Sequence, residues 1–432
     1  MDNPRALALL SLIKSDVSEC YTNIEISTTL KRARLEPSDS ALYTRLYLGV
    51  IEKRMYLDHV IKKYSRTNID LLDPETKNAL RLGIYQLILT DKIPEYSAVD
   101  ESVRIAPKRS KGLVNAILRS FIRDGKKIAL PKDKWEALSI EYSVPMELIN
   151  LFRSSYKDTE VEKLLTHTPK NHTSLRVNSL RTSTDGIIAI LKERGIEART
   201  SSIARDVVLC TASISQISDL LENGLLFVQD EASRVASQLL DAQSGEIIAD
   251  VCACPGGKSF SIAIDMQNKG ELYSSDLHAN KLTLIEKGAN TLGIDIIRVK
   301  EQNAKTYALE CERKFDRVIC DVPCSGLGVI FKKPEIKYKS IDGINALPKV
   351  QYDILSNVKN YVKCGGVLLY STCTLCKAEN EDNVKRFLSE NSDFVPVPIT
   401  VNGKEIKEGM YTFMPHSDNT DGFFVAKMRR VR

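Results

Sequence analysis

The sequence predicts a multidomain protein with an all-α N-terminal domain, a small α/β middle unit and a larger, doubly wound α/β domain. The chain has 432 residues, which is more than one hydrophobic core usually serves. Residues 4–125 carry apolar side chains at helical spacing and show no strand pattern. From residue 234 onward, short apolar runs alternate with helical patterns, which is typical of a mostly parallel sheet covered by helices. We place the domains at residues 1–130, 169–233 and 234–432, with a helical linker over residues 131–168.

The composition is that of a soluble globular protein. Hydrophobic residues make up 43% of the chain and charged residues 27%, and no stretch approaches the roughly 20 apolar residues of a membrane span. The apolar run Ala6–Ile13 is interrupted by Lys14 and has no cleavage site after it, so we expect no secretory signal. Ten cysteines, many of them in predicted loops, suit a reducing compartment. We expect a cytoplasmic protein that does not contact a membrane.

The charge is unevenly distributed along the chain. Residues 1–130 contain 22 Lys and Arg against 16 Asp and Glu, whereas the whole chain has a net charge of +5. The N-terminal domain therefore carries the positive charge and the remainder is about neutral. This pattern favours an anionic partner for the N-terminal domain, with nucleic acid the first candidate. Because the excess is modest, an ordinary solvated surface remains the alternative.

Capping residues and prolines mark the predicted helices of the N-terminal domain. Helical spacing covers Ala6–Ile13, Ala41–Lys53 and Gly112–Ile122. Asp73 precedes a proline and predicts a helix start, with the carboxylate as N-cap and proline at the first position. The Ile93-Pro94 pair predicts the end of that helix.

The middle unit and the C-terminal domain contain strand patterns. In the middle unit we predict strands at Ser174–Val177, Val207–Cys210 and Leu226–Val228, and a helix within Arg181–Gly195. The C-terminal domain alternates through strands at Ile247–Cys252, Glu271–Ser275, Ile296–Lys300, Arg317–Cys320, Gly366–Ser371 and Gly422–Met428 and helices at 258–267, 279–291, around 345–362 and 377–390.

One strand of this series ends in a loop suited to chemistry. The apolar run before Asp321 predicts a buried strand, and Pro323, Cys324 and Gly326 follow in the loop. Ligands bind at the carboxyl ends of the strands in open α/β sheets. We therefore expect Asp321 and Cys324 at a functional site. An ordinary strand-to-turn boundary with an inert thiol is the alternative.

The other strand ends also carry special residues. A glycine-rich turn after the first strand leads into a helix, whose N-terminus suits an anionic ligand group. Asp276 follows about 20 residues later, the spacing at which a carboxylate accepts ribose hydroxyls in nucleotide-binding folds. Asn303 ends the next strand and is placed to bind an adenine edge, and a further strand ends at Cys373. The candidate cofactor-binding residues are Cys252, Ala253, Cys254, Pro255, Gly256, Gly257, Lys258, Asp276, Asn303 and Asp321.

A P-loop and a zinc site are the alternatives to this interpretation. Gly257-Lys258-Ser259 ends like a Walker A motif, but that motif needs glycine where this chain has Cys252, and Pro255 removes a phosphate-binding N–H. Three closely spaced cysteine pairs could suggest zinc, but they lie at strand ends among Gly and Asp rather than in knuckle-like turns. We expect no metal. These pairs are Cys252/Cys254, Cys320/Cys324 and Cys373/Cys376.

The loops resemble those of the RNA cytosine-C5 methyltransferases of the Nop2/Sun family, over roughly residues 170–430. The resemblance implies a Rossmann-like, S-adenosylmethionine-dependent methyltransferase domain after an RRM-like middle unit. The segment Gly112–Arg119 is similar to the RNA-binding NusB fold, which implies a NusB-like N-terminal domain. The matching motifs are Cys254–Ser259, Asp321–Gly326, Ser371–Thr374, Phe227–Ser233 and Thr420–Phe424.

The chemistry of cytosine explains why the family needs cysteine. C5 is a poor nucleophile, and a thiolate that adds to C6 turns C5 into a carbon able to attack a methyl donor. From the Pro-Cys dipeptide alone, Cys324 is a candidate for that thiolate. The resemblance instead implies Cys373 as nucleophile, Cys324 as the group that assists product release, and Asp321 as an acid near N3 that is protonated or shares a proton. Asn303 departs from the family, whose members commonly carry aspartate there.

The resemblance also implies the substrate. Fusion to a NusB-like domain implies cytosine 967 of 16S rRNA, free or in an early small-subunit particle, with the enzyme a monomer. Action on tRNA or another rRNA site, or a non-catalytic RNA-binding assembly role, are the alternatives. We expect Lys258 to pair with the methionine carboxylate or the RNA backbone, unless it is a surface lysine. We expect Phe331–Pro334 and Lys337–Lys339 to contact RNA, with a solvated loop as the alternative.

Overall fold

The computed structural model describes residues 3–17, 21–90, 93–168 and 172–432, and it divides into two compact units. The first unit comprises Met1–Thr166 and Ile330–Lys339, and the second comprises His167–Val329 and Ser340–Arg432. A short segment from the C-terminal half of the chain therefore belongs to the N-terminal unit. The predicted start of the middle unit, residue 169, lies outside the described residues.

The first unit is all-α in its described residues, as predicted. Asp73 accepts a hydrogen bond from the Thr76 backbone N–H at 2.9 Å, which confirms the predicted helix start before Pro74. That helix ends at Leu89, and the next begins directly after Pro94. The helices are α1 (Pro4–Val17), α2 (Thr22–Arg32), α3 (Pro37–Glu52), α4 (Arg54–Tyr64), α5 (Pro74–Leu89), α6 (Glu95–Ile105), α7 (Lys111–Arg123), α8 (Lys134–Tyr142), α9 (Met146–Ser155) and α10 (Asp158–Leu165).

The segment Ile330–Lys339 packs against helices of the first unit. The Tyr338 hydroxyl donates to the Ile51 carbonyl at 2.9 Å, and the Arg54 guanidinium lies 3.7 Å from the centre of the Tyr338 ring. Lys337 is buried, and its ammonium donates to the Glu52 carbonyl at 3.4 Å and the Tyr142 carbonyl at 3.2 Å. Our expectation that Lys337–Lys339 contacts RNA is therefore wrong for Lys337, which is neither solvated nor accessible to RNA.

The second unit begins with a small α/β subdomain. Its four strands form a sheet in the order β2-β3-β1-β4, and all its pairings are antiparallel. Ser183 caps the predicted helix by accepting from the Gly186 backbone N–H at 3.1 Å. The elements are β1 (Thr173–Val177), α11 (Thr184–Glu193), β2 (Ala198–Thr200), β3 (Val207–Cys210), α12 (Ser218–Glu222) and β4 (Leu226–Val228).

An eight-stranded sheet forms the centre of the second unit. Its order is β10-β14-β9-β8-β5-β6-β7, with β13 paired to β14. The pairings from β9 through β7 are parallel, as predicted, whereas β14 is antiparallel to β9. The strands are β5 (Ile247–Asp250), β6 (Glu271–Asp276), β7 (Ile297–Glu301), β8 (Phe315–Asp321), β9 (Val362–Thr372), β10 (Phe394–Pro396), β13 (Met410–Phe413) and β14 (Phe423–Arg430). A separate hairpin pairs β11 (Ile399–Val401) with β12 (Lys404–Ile406).

Helices connect the strands of this sheet, and two of them begin several residues away from their predicted starts. The helix predicted around 345–362 begins earlier, because the chain turns into it at Ser340, and Pro348 lies inside it. The helix predicted at 377–390 begins at Glu381, because the side chains just before it bond to neighbouring loops. The helices are α13 (Glu231–Leu240), α14 (Gly257–Asp265), α15 (Ala279–Leu292), α16 (Ile341–Val358), α17 (Glu381–Glu390) and α18 (Pro415–Asp418).

Candidate active site

The predicted site residues lie at one edge of the large sheet, where the parallel strands end. From β5 the chain continues to β6 and β7 on one side, and it returns to β8 and β9 on the other. Strands β5 and β8 are therefore neighbours whose following loops diverge, which is where ligands bind in open α/β sheets. The glycine loop follows β5, and the loop of Cys324 follows β8.

The glycine loop, Cys252–Lys258, follows β5 and includes the first two residues of α14. It is folded back by hydrogen bonds from Ala253 N to Ser275 O at 2.9 Å and from Gly256 N to Ala253 O at 2.7 Å. Gly256 has a φ of +111°, and a Cβ there would lie 2.5 Å from the Phe260 ring. Glycine is therefore required at this position, and the loop leads directly into the N-terminus of α14.

Asp250, at the end of β5, is a buried carboxylate that the sequence analysis did not single out. One oxygen accepts a hydrogen bond from the Ser259 hydroxyl at 2.7 Å, and Ser274 in turn donates to Ser259 at 2.9 Å. The other oxygen, Oδ1, is buried without a hydrogen-bond partner. Burial raises the pKa of Asp250 to about 7. An unsatisfied carboxylate oxygen beside a glycine loop suits a donor from a bound ligand.

Asp276 and Asn303 end the two neighbouring strands. Asp276 Oδ2 accepts from the Cys254 backbone N–H at 3.2 Å, so it lies against the glycine loop. The backbone of Gln302 donates to the Asp276 carbonyl at 3.0 Å. Asn303 is exposed, and its side-chain oxygen accepts from Lys305 N at 3.0 Å within its own turn. The structure thus brings Asp276 to the loop and leaves Asn303 at the adjacent strand end.

Lys258 and Asp321 form an ion pair across the strand switch. Lys258 Nζ lies 2.6 Å from Asp321 Oδ2, and the Ser371 hydroxyl donates to Asp321 Oδ1 at 2.8 Å. The Lys258 side chain is 11% exposed, so it is not a surface lysine. Burial works against its charge, but Asp321 outweighs burial and, with Asp250 and Cys373, raises the pKa of Lys258. Lys258 is therefore held as an ammonium beside Asp321, and the role of Asp321 as the acid stays a prediction.

The two predicted cysteines are in contact. Asp321 is paired with Ser371 in the parallel register of β8 and β9, so the loops that follow run side by side. The Cys324 and Cys373 Sγ atoms are 3.2 Å apart, and the Cys373 backbone N–H donates to Cys324 Sγ at 3.3 Å. The hydrogen bond to Cys373 and burial raise the pKa of Cys324 well above its ordinary value. Cys324 is thus held as a thiol beside Cys373.

The neighbouring cysteines are held as thiols by their surroundings. Burial raises the pKa of Cys252 and of Cys320 well above the ordinary range. Burial and the Asp276 carboxylate raise the pKa of Cys254 to about 12, and burial raises that of Cys376 to about 11. None of these four has an environment that favours a thiolate.

Glu379 and Asn380 are functional candidates that the sequence analysis missed. Both are fully buried in the turn before α17, and their side chains bond to residues next to Cys324 and Cys373. The signal available in the sequence was a Glu-Asn pair six and seven residues after Cys373, just before a polar helix start. A local pattern cannot show, however, that these side chains face two loops from different parts of the chain.

Two kinds of feature are absent from the described residues. Over residues 3–17, 21–90, 93–168 and 172–432, no helix is both long and apolar enough to cross a membrane. In the same residues, no group of three or more His, Cys, Asp or Glu side chains is arranged to hold a metal ion.

Solved structures with the same fold define the class of protein. The crystal structure of PH0851 matches with a TM-score of 0.83 and 26% identity, covering 100% of this chain and 99% of that one. A structure described as a methyltransferase homolog protein from Pyrococcus horikoshii matches with a TM-score of 0.55 and 26% identity, covering 66% of this chain and 99% of that one. The protein is a methyltransferase with a Rossmann-like catalytic domain.

Sequence comparison gives the family. The family described as 16S rRNA methyltransferase RsmB/F matches residues 237–429, and the NusB family matches residues 2–123. A probable ribosomal RNA small subunit methyltransferase B of Bacillus subtilis is 34% identical over 99% of this chain and 98% of its own length. The chain belongs to the RsmB/F family of 16S rRNA methyltransferases, with a NusB-like N-terminal domain.

Proposed function

We propose that this methyltransferase transfers a methyl group from S-adenosylmethionine to C5 of a cytosine in 16S rRNA, with cytosine 967 as the target. The observation that carries the proposal is the contact between Cys324 and Cys373 beside the Lys258–Asp321 ion pair. Methylation at C5 by covalent addition needs one thiolate to attack and proton donors to assist. The pair of thiols and the lysine provide both kinds of group in one place.

The residues around the glycine loop fit S-adenosylmethionine. The buried, unpartnered Asp250 Oδ1 suits the ammonium group of the methionine portion. Asp276, at the end of β6, suits the ribose hydroxyls, and Asn303 on the next loop suits the adenine edge. The loop Cys252–Lys258 and Asp321 complete the proposed site. When bound, the cofactor supplies an electrophilic methyl group on sulfonium sulfur.

Cys373 is the proposed nucleophile. Its thiolate adds to C6 of the base, the C5–C6 double bond opens, and the electron pair moves to C5. The new carbon–methyl bond forms there as the bond between the methyl group and its donor sulfur breaks, with that electron pair staying on sulfur. A base then removes the C5 proton, the electron pair restores the double bond, and the C6–sulfur bond breaks to release the thiolate. The raised pKa of Cys324 supports this assignment, because a residue kept as a thiol is the poorer nucleophile and the better proton donor.

The Lys258–Asp321 pair is the proposed acid for the ring. Addition of the thiolate increases electron density at N3, so a proton donor there stabilises the adduct. Lys258 carries that proton at 2.6 Å from Asp321, and Ser371 fixes the other carboxylate oxygen. In this proposal Asp321 orients the Lys258 ammonium or relays its proton.

The substrate proposal rests on the family and on the N-terminal unit. The basic charge of residues 1–130 suits an RNA backbone, and the target base must be unpaired or turned out of its helix to reach the two half-buried thiols. Free 16S rRNA and an early subunit particle both remain possible substrate forms. A cytoplasmic location and a monomeric state remain predictions.

A methyl-transfer assay tests this function. Labelled S-adenosylmethionine and unmodified 16S rRNA are incubated with the wild type, Cys373→Ala, Cys324→Ala and the control Cys364→Ala, whose cysteine is exposed. We expect transfer to C5 of one cytosine by the wild type and the control, and no transfer by Cys373→Ala. Transfer to tRNA but not to 16S rRNA, or full activity of Cys373→Ala, would contradict the proposal.

A further inference from the structure

We propose that Glu379 is a positioning residue whose buried carboxylate ties the Cys324 loop to the Cys373 loop and so holds the two thiols in contact. The inference rests on the proposed function, because it concerns the same site. The Glu379 side chain makes no hydrogen bond to the two cysteines or to the ion pair. It bonds instead to the residue that directly follows each cysteine.

The carboxylate of Glu379 accepts hydrogen bonds from both loops. One oxygen accepts from the Ser325 backbone N–H at 2.9 Å and from Gln351 Nε2 at 2.7 Å. The other accepts from the Ser325 hydroxyl at 2.5 Å and from the Thr374 hydroxyl at 3.3 Å. Ser325 directly follows Cys324, and Thr374 directly follows Cys373. A single side chain therefore connects the positions next to the two thiols.

Asn380 completes the connection on the Cys373 side. Its Nδ2 donates to the Thr374 carbonyl at 2.9 Å, and its Oδ1 accepts from the Thr372 hydroxyl at 2.6 Å. Both neighbours of Cys373 in the chain are thus bonded to one asparagine. The backbone next to Asn380 is also held in place, because the Tyr370 hydroxyl donates to the Glu379 carbonyl at 2.6 Å.

Because these residues are buried, the loss of any of their hydrogen bonds is costly. Glu379, Ser325, Thr374 and Asn380 are all 0% exposed, so each lost hydrogen bond leaves a polar group without water to replace it. The donors to the carboxylate are a backbone amide, two hydroxyls and a side-chain amide, all neutral. The negative charge of Glu379 also contributes to raising the pKa of Cys324, so the same side chain that sets the geometry helps keep that cysteine a thiol.

The variants Glu379→Gln and Glu379→Ala separate the effect of the hydrogen bonds from the effect of the negative charge. Glutamine can keep its oxygen toward the Ser325 N–H and Gln351 and turn its NH₂ toward the two hydroxyls, which can rotate to accept. Alanine removes all four bonds. Glu381→Ala is the matched control, because Glu381 is the next acidic residue and accepts from Thr412 instead.

Two readouts are measured on the full-length protein. In single-turnover methyl transfer to 16S rRNA, we expect the rate of Glu379→Ala to be at least about 100-fold below that of the wild type, since small misplacements of reacting groups slow a reaction by that much. Glu379→Gln is expected to recover most of the rate, and Glu381→Ala to match the wild type. Cofactor affinity, measured by calorimetry, is expected to be unchanged in all three, which also shows that the catalytic domain is folded.

The second readout does not depend on methylation. Alkylation of Cys324 and Cys373 by iodoacetamide is followed against pH by peptide mapping. We expect the alkylation midpoint of Cys324 to move to lower pH in Glu379→Ala, because both the charge and the thiol contact are lost. Wild-type midpoints and rates in Glu379→Ala, or a folded Glu379→Gln as inactive as Glu379→Ala, would overturn the inference. If the wild type methylated no RNA, the proposed function would fail, and the alkylation profiles would still decide the role of Glu379.

Discussion

At the residue scale, the main feature of the site is that Cys324 and Lys258 both keep their protons. Cys324 is kept as a thiol by its hydrogen bond to Cys373 and by burial. Lys258 keeps its proton because Asp321 lies 2.6 Å away. The resting site therefore has two proton donors, Cys324 and Lys258, near Cys373, which is the cysteine proposed to act as a thiolate.

Lys258→Met tests the proton donor proposed for N3. Removing the ammonium leaves Asp321 without its partner and the ring nitrogen without an acid, so we expect the single-turnover methyl-transfer rate to fall by about 100-fold or more. Lys287→Met, at an exposed position on α15, is the control and should match the wild type. A Lys258→Met rate within a few-fold of the wild type would exclude an acid role for this lysine.

The sequence was sufficient to predict some of these residues and not others. Asp321, Cys324 and Cys373 were predictable because each directly follows an apolar strand pattern, and the parallel register brings the strand ends together. The Lys258–Asp321 pair was not predicted, because it joins a side chain at the start of α14 to one at the end of β8, 63 positions later in the chain. Glu379 was missed for the same reason, since its four bonds go to three different segments.

At the element scale, the segment Ile330–Lys339 is the least expected feature. It leaves the second unit directly after the loop of Cys324 and forms a short 3₁₀ turn, Pro334–Tyr338, within the first unit. Lys337 donates to the last carbonyls of α3 and α8, where the helix dipoles favour a cation. A buried lysine with carbonyls as its hydrogen-bond partners anchors this segment at the cost of desolvating a charge.

The cost of burying Lys337 predicts a pH dependence of stability. Burial lowers the pKa of Lys337 from 10.5 to about 8, so between these values the unfolded chain binds more protons than the folded one. Stability from this group therefore rises with pH, by up to about 3 kcal/mol across that window. Lys337→Met lacks the titrating group, so we expect its stability relative to the wild type to fall as the pH rises from 8 toward 10.

Urea unfolding followed by fluorescence provides the measurement. The chain has a single tryptophan, Trp135, which lies in α8, the helix whose last carbonyl accepts from Lys337. Lys333→Met, an exposed lysine of the same segment, is the control and should follow the wild type at every pH. Parallel profiles for the wild type and Lys337→Met would show that the lysine is not buried in the folded protein.

Elements with strong periodicity were predictable, and those fixed by distant contacts were not. The central strands β5–β9 contain short apolar runs bounded by polar or turn residues, and they lie close to their predicted positions. Strands β10–β13 went unpredicted because they are short and partly exposed, and they exist through pairing with each other or with β14. The packing of Ile330–Lys339 depends on contacts nearly 300 positions apart in the chain, such as Tyr338 with Ile51, which no local pattern encodes.

At the scale of the whole molecule, an all-α NusB-like unit and a Rossmann-like unit are joined in one chain. The composition and the change from helical to alternating patterns were enough to predict this organisation. The family comparison accounts for the combination, since the relative from Bacillus subtilis matches over 99% of this chain. In the proposed function, the first unit carries the basic charge that suits RNA. The second unit carries the two thiols and the cofactor loop.

The most direct test of the account is to identify the residue that bonds to the RNA. Cys324→Ala is incubated with S-adenosylmethionine and unmodified 16S rRNA, the RNA is digested, and the modified peptide is sequenced by mass spectrometry. Because Cys324 is proposed to assist release, we predict an accumulated nucleotide adduct on Cys373, which disappears in the double variant Cys324→Ala/Cys373→Ala. An adduct on any other residue, or undiminished methylation by the double variant, would contradict the account.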